Sequence, residues 1–129
     1  MARVLIVDDD LSLRFAVVLI LKQAGYETVE AANGLDALHI LKQDAGFDVI
    51  LSDVQMDQMN GIRLLEELGK DYPHIPAVML SVYSEWSVEA AEKGAASYLP
   101  KPFSRQQLVA TVQKLSGAVG SAEATREPA

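Results

Sequence analysis

The chain has 129 residues and contains no cysteine. This absence excludes disulfide frameworks, thiolate metal sites, iron–sulfur clusters and cysteine nucleophiles. Because a protein without cysteine is also compatible with a reducing compartment, we expect a cytoplasmic location. A mass of 14.0 kDa fits a single domain that buries one core.

Long hydrophobic runs are also lacking. The longest one, Phe15 to Leu21, is flanked by Arg14 and Lys22 and is far shorter than the roughly 20 residues that a membrane-spanning helix needs. The apolar run at the N-terminus, Val4–Val7, is too short for the core of a signal peptide. We therefore expect no membrane partner.

Basic residues are the minority among the charged side chains. The sequence has 11 lysines and arginines against 18 acidic residues, which gives a formal net charge of −7. Nucleic-acid-binding domains normally carry a basic patch, so this balance argues against direct contact with nucleic acid. It favours a basic partner or a bound cation.

Short apolar runs alternate with longer segments of helical periodicity, which indicates an α/β domain. The predicted strands are Val4–Val7, Tyr26–Glu30 (an edge strand), Val49–Leu51, Ala77–Leu80 and Ser97–Leu99. The predicted helices are Leu11–Ala24, Leu35–Gln43, Ile62–Gly69, Glu85–Lys93 and Ser104–Leu115. Gly25 and Gly94 stand where glycines end helices. Strict alternation of strand and helix predicts one parallel sheet with helices on both faces.

The end of the chain has a different composition from the rest. Small and polar residues dominate after Ser116, and no periodic apolar face continues. Such a composition is typical of linkers and unfolded segments. We predict a domain over residues 1–116, followed at 117–129 by a disordered tail or the start of a linker.

Polar residues follow four of the predicted strands. Asp8 and Asp9 come after the first strand, Asp53 after the third, Ser81 after the fourth and Lys101 after the fifth. The carboxyl ends of parallel strands meet at one edge of the sheet, where ligands of such folds bind. Clustered carboxylates repel one another, and an all-oxygen site of this kind suits Mg²⁺. An aspartate can also act as a phosphoryl-accepting nucleophile.

Four segments in this order, VLIVDDD, ILSDVQMDQMNG, AVMLS and YLPKPF, resemble the receiver domain of two-component response regulators. The resemblance covers roughly residues 3 to 116. It implies a three-layer, flavodoxin-like (βα)5 fold, a doubly wound parallel sheet with strand order 2-1-3-4-5. It also implies a signalling switch that assists only its own phosphorylation and dephosphorylation and is not otherwise an enzyme.

The resemblance implies a role for each residue at the strand ends. Asp53 would accept a phosphoryl group from a histidine kinase or a histidine phosphotransfer protein. Asp8 and Asp9 would form the acidic pair for Mg²⁺, with Asp9, Asp53 and the backbone carbonyl of Gln55 as direct ligands. A cognate output domain or downstream protein would read the phosphorylated state.

The resemblance also implies how the phosphoryl group is held and sensed. Ser81 would donate a hydrogen bond to one phosphoryl oxygen, and Lys101 would pair with another. Tyr98 would be the switch aromatic that turns inward as Ser81 moves. In this family the Lys-Pro peptide bond is typically cis, so we expect a cis bond between Lys101 and Pro102.

Two positions depart from the family pattern, and two other functions remain open. Asp57 stands where the family usually has proline, and the branched Val82 stands where it favours a small residue. These departures leave open a phosphorylation-independent interaction module. A small aspartate-nucleophile phosphatase would need a second acid two residues after Asp53, where this chain has Gln55.

The first helix carries more apolar residues than one core face needs. Leu13, Ala16, Val17, Ile20, Leu21 and Ala24 repeat at helical spacing and are predicted to face the core. The remaining ones, Leu11, Phe15, Val18 and Leu19, are predicted to face outward. An exposed apolar patch indicates an interface. The resemblance implies that its partner is the phosphodonor or a second copy of the chain. We expect Asp10 to cap this helix.

Overall fold

Five strands and five helices alternate along the part of the chain that the structure describes, as predicted. The computed structural model describes residues 2–54, 59–82 and 85–124, with side chains through residue 116. The strands are β1 (Arg3–Val7), β2 (Glu27–Ala31), β3 (Val49–Asp53), β4 (Ala77–Ser81) and β5 (Ser97–Pro100). The helices are α1 (Leu11–Gln23), α2 (Gly34–Gln43), α3 (Gly61–Asp71), α4 (Trp86–Glu92) and α5 (Arg105–Ala124). Most of the predicted boundaries are correct to within one or two residues.

All five strands are parallel and lie in the order β2-β1-β3-β4-β5. The α/β, flavodoxin-like fold and the edge position of β2 are therefore confirmed. The chain crosses from β2 over β1 to β3, so the order reverses between β1 and β3. This reversal point is where open α/β sheets bind ligands.

The sheet separates two apolar layers. Alternate residues of one strand enter opposite layers because successive Cβ atoms point to opposite faces: Leu5 packs with α2, α3 and α4, whereas Ile6 packs with α1 and α5. Both side chains are at most 1% exposed. Burial on both faces explains why the strands are continuous apolar runs.

Local signals set the helix ends. The Asp10 carboxylate accepts hydrogen bonds from the backbone N–H groups of Ser12 at 3.0 Å and Leu13 at 3.2 Å, so Asp10 caps α1 as predicted. Gly25 and Gly94 have φ angles of 95° and 99° after α1 and α4. Only glycine enters this left-handed region without strain.

The prediction for the outward face of α1 is wrong at one position. Leu11, Phe15 and Leu19 are exposed, but Val18 is 5% exposed and packs in the layer of α1 and α5. Conversely Ala16, which we placed on the core face, is exposed. The helix contacts α5 and β2 as well as β1, so its buried arc extends further toward Val18 than the sequence pattern indicates.

Helix α5 continues past its predicted end at Leu115. Its backbone is helical through Ala124, whereas we predicted a disordered tail or the start of a linker from residue 117 onward. The segment has no proline before residue 128, and its alanines favour a helix, although Gly117 and Gly120 do not. Residues 125–129 are outside the described part, and the domain boundary stays a prediction. In the described parts of the chain, no helix has the length and apolar character to cross a membrane.

Candidate functional site

Three aspartates meet at the carboxyl end of the sheet. Asp8 and Asp9 follow β1, and Asp53 is the last residue of the neighbouring strand β3. One carboxylate oxygen from each residue lies within 4.8 Å of the others, an arrangement that could hold a metal ion. Asp8 is 2% exposed, Asp53 is half-buried and Asp9 is exposed, so the group opens to solvent on one side.

The buried Asp8 carboxylate has the least favourable environment of this group. Its burial, the largest cause, raises its pKa above the usual value, and the neighbouring charges of Asp53 and Asp9 raise it further. A hydrogen bond from the backbone N–H of Asp10 at 2.9 Å and the charge of Lys101 act in the opposite direction. The net result is a raised pKa for Asp8, because its ionised form is destabilised in this site. A bound cation would stabilise the ionised form.

The lysine directly after β5 contacts the acidic cluster. The Lys101 Nζ atom lies 3.3 Å from Oδ2 of Asp53, and both side chains are 14% exposed. The peptide bond between Lys101 and Pro102 is cis, as we expected. The backbone N–H of Lys101 donates to the carbonyl of Ser81 at 2.8 Å, which ties the lysine to the end of β4.

The two predicted switch residues lie on β4 and β5. Ser81 ends β4 and is 2% exposed. Tyr98 is opposite Met79 in the β4–β5 pairing and packs, half-buried, against the layer of α2, α3 and α4. Val82 is 59% exposed directly after Ser81. Ser81 therefore ends the strand next to Asp53, whereas Tyr98 lies on the edge strand β5, and their roles as switch residues are predictions.

Two predicted positions follow β3 in the sequence and lie outside the described residues. They are Gln55, the expected source of a backbone carbonyl ligand, and Asp57, which replaces the usual proline. The described structure resumes at residue 59. Beyond it, the backbone N–H of Gly61 donates to the carbonyl of Val54 at 2.7 Å. A Cβ at Gly61 would collide with backbone atoms of Asp53 and Val54, so the start of α3 packs directly on the end of β3.

Arg14 contacts the site, which the sequence analysis missed. Its Nη1 donates to the backbone carbonyl of Asp8 at 2.6 Å, and its Nε contacts the Glu30 carboxylate at 2.9 Å. The side chain is only 14% exposed. One signal was present in the sequence, because Arg14 is the single charged residue between Asp10 and Lys22 in an otherwise apolar helix.

A mostly apolar cavity opens beside the cluster. It has a volume of about 300 Å³ and is lined by Leu13, Val82, Lys101, Pro102 and Phe103. On the same helix as Leu13, Leu11 and Phe15 are exposed by 66% and 62%. Apolar surface therefore lies near the carboxylates, where a partner approaching them would meet it.

Comparison with known proteins identifies the family. A family model described as the response regulator receiver domain matches residues 4–113. The sensor kinase CckA of Brucella abortus (strain 2308) is 38% identical over 117 residues, which are 88% of this chain and 12% of CckA. The chain spans 12 to 25% of the length of the curated relatives it matches.

Solved structures give the same result over nearly their whole length. The chemotaxis response regulator CheY4 of Vibrio cholerae is 39% identical, with a TM-score of 0.82, over 89% of this chain and 98% of that one. The response regulator TrrA of Thermotoga maritima, solved in complex with Mg²⁺ and BeF, is 29% identical, with a TM-score of 0.82, over 89% of this chain and 99% of that one.

Proposed function

This chain belongs to the response regulator receiver family, and from this premise we propose that it is a phosphorylation-dependent switch with Asp53 as the phosphoacceptor. The observation that carries the proposal is the position of the Asp53 carboxylate, which lies within a metal-competent acidic cluster and 3.3 Å from the Lys101 ammonium. An accepting carboxylate needs such positive charge beside it, because the incoming group is anionic.

The proposed transfer moves one phosphoryl group. A carboxylate oxygen of Asp53 attacks phosphorus, the bond between phosphorus and the donor's histidine nitrogen breaks, and that nitrogen keeps the electron pair. The Lys101 ammonium pairs with one phosphoryl oxygen, and the Ser81 hydroxyl donates to another. The acceptor acts only on itself, so no external metabolite is turned over.

The residues present fit Mg²⁺. Three carboxylates within 4.8 Å supply the oxygen ligands that this hard cation prefers, and the raised pKa of Asp8 indicates charge that lacks compensation. Asp9 and Asp53 would be direct ligands, and the backbone carbonyl of Gln55 would be a third. When bound, Mg²⁺ supplies positive charge that offsets the carboxylates and the phosphoryl oxygens. The complex of TrrA with Mg²⁺ and BeF supports this assignment.

The signal would pass from the phosphorylated site to a partner. Ser81 moves toward the phosphoryl group and Tyr98 turns inward, which biases a two-state equilibrium on the α4–β5–α5 side of the molecule. The phosphodonor, a histidine kinase or a phosphotransfer protein, would dock near the exposed Leu11, Phe15 and Leu19 of α1. A homodimer through the same patch is the other use of this surface. The reader of the signal would be an output domain or a separate protein in the cytoplasm.

Intact-mass measurement tests the proposal directly. The protein is incubated with Mg²⁺ and acetyl phosphate, beside Asp53→Asn and the control Asp71→Asn, which changes an exposed acid at the far end of α3. We expect one added phosphoryl group in the wild type and the control, and none in Asp53→Asn. Equal labelling of Asp53→Asn would contradict the assignment.

Beryllofluoride provides a second readout that needs no phosphodonor. Trp86, the first residue of α4, is half-buried and packs against the layer of α2, α3 and α4, so its fluorescence should report a change on the output side. We expect beryllofluoride with Mg²⁺ to change this fluorescence in the wild type and in Asp71→Asn, but not in Asp53→Asn. If neither reagent alters mass or fluorescence, the phosphorylation-independent interaction module becomes the better account.

A further inference from the structure

Arg14 links the acidic cluster to the edge of the sheet. Its Nη1 donates to the Asp8 carbonyl at 2.6 Å and its Nε lies 2.9 Å from the Glu30 carboxylate, while only 14% of the side chain is exposed. Glu30 belongs to β2 and pairs with Ile6 of β1. One guanidinium thus joins α1, the end of β1 and the neighbouring strand.

We propose that Arg14 is a positioning residue for the metal site, which sets the backbone from which the Asp8 and Asp9 carboxylates project. The inference rests on the proposed function, because it concerns the same cluster. It adds a residue that touches neither the metal nor the phosphoryl group and acts only through the main chain of Asp8.

The position of Asp8 in the chain explains why such a contact is needed. The ladder of β1 ends at Val7, and the Asp8 N–H makes one last bond to the carbonyl of Ala31 at 3.1 Å. Asp8 and Asp9 then lead into α1, in the short connection after the strand. The Arg14 guanidinium bonds the Asp8 carbonyl where the ladder has stopped, so the peptide between Asp8 and Asp9 is held from the helix side.

The charge of Arg14 and its positioning role predict opposite results. A guanidinium near a divalent cation repels it, so deleting the charge alone should strengthen metal binding. Glu30 pairs with Arg14 and reduces this repulsion, which leaves the charge of the acidic cluster available for a metal. If positioning dominates, deleting Arg14 should weaken metal binding even though a positive charge is removed.

Another arginine of the chain provides a matched control. Arg63 on α3 contacts Glu67 at 3.4 Å with 62% of its side chain exposed, an arginine–glutamate pair within one surface helix. Arg63→Met removes the same charge and the same kind of ion pair as Arg14→Met. A loss of Mg²⁺ affinity in Arg14→Met that Arg63→Met does not share therefore cannot come from the change in net charge or from the loss of an arginine–glutamate pair alone.

Titration calorimetry with MgCl₂ on the full chain tests the proposal at one pH and ionic strength. We expect Arg14→Met to bind Mg²⁺ about 10-fold more weakly than the wild type, in the range found when supporting contacts of metal ligands are removed. Arg14→Lys keeps the charge, but an ammonium cannot bond the Asp8 carbonyl and the Glu30 carboxylate with two separate nitrogens. We therefore expect its Mg²⁺ affinity to fall about 3-fold. Arg63→Met should match the wild type.

A double-mutant cycle with Glu30→Gln tests whether Glu30 acts through Arg14. We expect Glu30→Gln to weaken Mg²⁺ binding about 3-fold in the wild type and to have no further effect in Arg14→Met. Unfolding midpoints in urea show which variants are folded. If Arg14→Met does not fold, Arg14→Lys and Glu30→Gln carry the test.

The outcomes separate this inference from the proposed function. Unchanged or tighter Mg²⁺ binding by folded Arg14→Met overturns the positioning role, and so does an Arg14→Lys variant with wild-type affinity. A wild type that binds Mg²⁺ and takes up phosphoryl groups would leave the proposed function standing in either case. A wild type that binds no Mg²⁺ overturns the metal site and this inference together.

Discussion

The two ends of the sheet differ in how far their charged side chains are compensated by opposite charge. At the carboxyl end, three aspartates lie within 4.8 Å of one another and one lysine contacts them. At the amino end, a single cation, the Arg3 guanidinium, contacts a carboxylate, a backbone carbonyl and an aromatic ring. The Arg3 Nη1 lies 3.0 Å both from the Asp44 carboxylate and from the Gly46 carbonyl, and the guanidinium stacks 4.4 Å from the centre of the Phe47 ring.

The pKa values of two aspartates express this difference. Burial and like charge raise the pKa of Asp8, whereas the N–H of Gly46, the largest cause, and Arg3 lower the pKa of Asp44. The Asp44 end is arranged to stabilise the ionised acid, and the Asp8 end is not. Burial of a carboxylate, together with repulsion that the fold leaves uncompensated, therefore distinguishes the cation site from structural ion pairs.

Asp8→Asn should give the largest contrast between the two ends. We expect Mg²⁺ affinity to fall by about 100-fold, while the metal-free protein becomes more stable because one repelling charge is removed from a buried position. The asparagine Oδ1 can still accept from the N–H of Asp10, so the local backbone is kept. Calorimetry and urea unfolding measure the two effects.

Asp44→Asn is the matched change at the other end. We expect Mg²⁺ affinity to stay at the wild-type value, unlike in Asp8→Asn, and the unfolding midpoint to decrease, which is the reverse of the change in Asp8→Asn. If both variants lower the midpoint in metal-free buffer, the account of uncompensated repulsion at Asp8 is wrong.

Two glycines of α3 extend the comparison to packing. Gly61→Ala places a methyl group against the backbone of Asp53 and Val54, and we expect a loss of about 2 kcal/mol of unfolding free energy. Gly69→Ala meets nothing within 4 Å in the same helix, and we expect a gain of about 0.5 kcal/mol. Urea unfolding measures both, and equal effects would contradict close packing at the site end.

Arg3→Met should affect stability without affecting the site. The variant loses the contacts with Asp44, Gly46 and Phe47, and we expect about 1 kcal/mol lower unfolding free energy, mostly from the cation–π contact and packing on the ring. Mg²⁺ affinity should not change. A shift in metal affinity would show that the two ends are coupled through the sheet.

The smallest expected effect is a difference in pH dependence. The pKa of Asp8 in the folded protein lies above the ordinary aspartate value of 3.8. Its charge therefore destabilises the metal-free fold progressively as pH rises from about that value, and the penalty levels off above the folded pKa. The stability gained in Asp8→Asn should therefore grow with pH and then become constant.

Asp44 has the opposite sign, because its folded pKa lies below 3.8. Its stabilising effect is present above 3.8 and is lost as pH falls through the folded pKa. The stability lost in Asp44→Asn should be largest near neutral pH and vanish in acid. Unfolding midpoints measured from pH 3 to pH 7 test both signs, and parallel pH curves for the two variants would refute them.

Much of this fold and of the candidate site could be predicted from the sequence because the signals are local. The apolar run Val4–Val7 and the aspartates directly after it are adjacent in the chain, so strand and charge are recognised together. Asp53 could be placed beside them from the parallel topology alone. The cap at Asp10 and the positive φ of Gly25 likewise depend on their immediate neighbours.

The rest depends on residues far apart in the sequence. The burial of Val18 and the exposure of Ala16 follow from how α1 packs against α5 and β2, and helical periodicity carries no information about those neighbours. The partners of Arg14 lie on two different strands, so no spacing along α1 reveals them.

The order of the elements and the acids at the strand ends can be read from the local chain, because they depend on strand and helix periods and on polar residues directly after apolar runs. Which of these acids is hardest to ionise depends on the folded arrangement. The pKa of Asp8 depends on its burial and on charges brought close by three different strand ends, and these distances exist only after the sheet has formed.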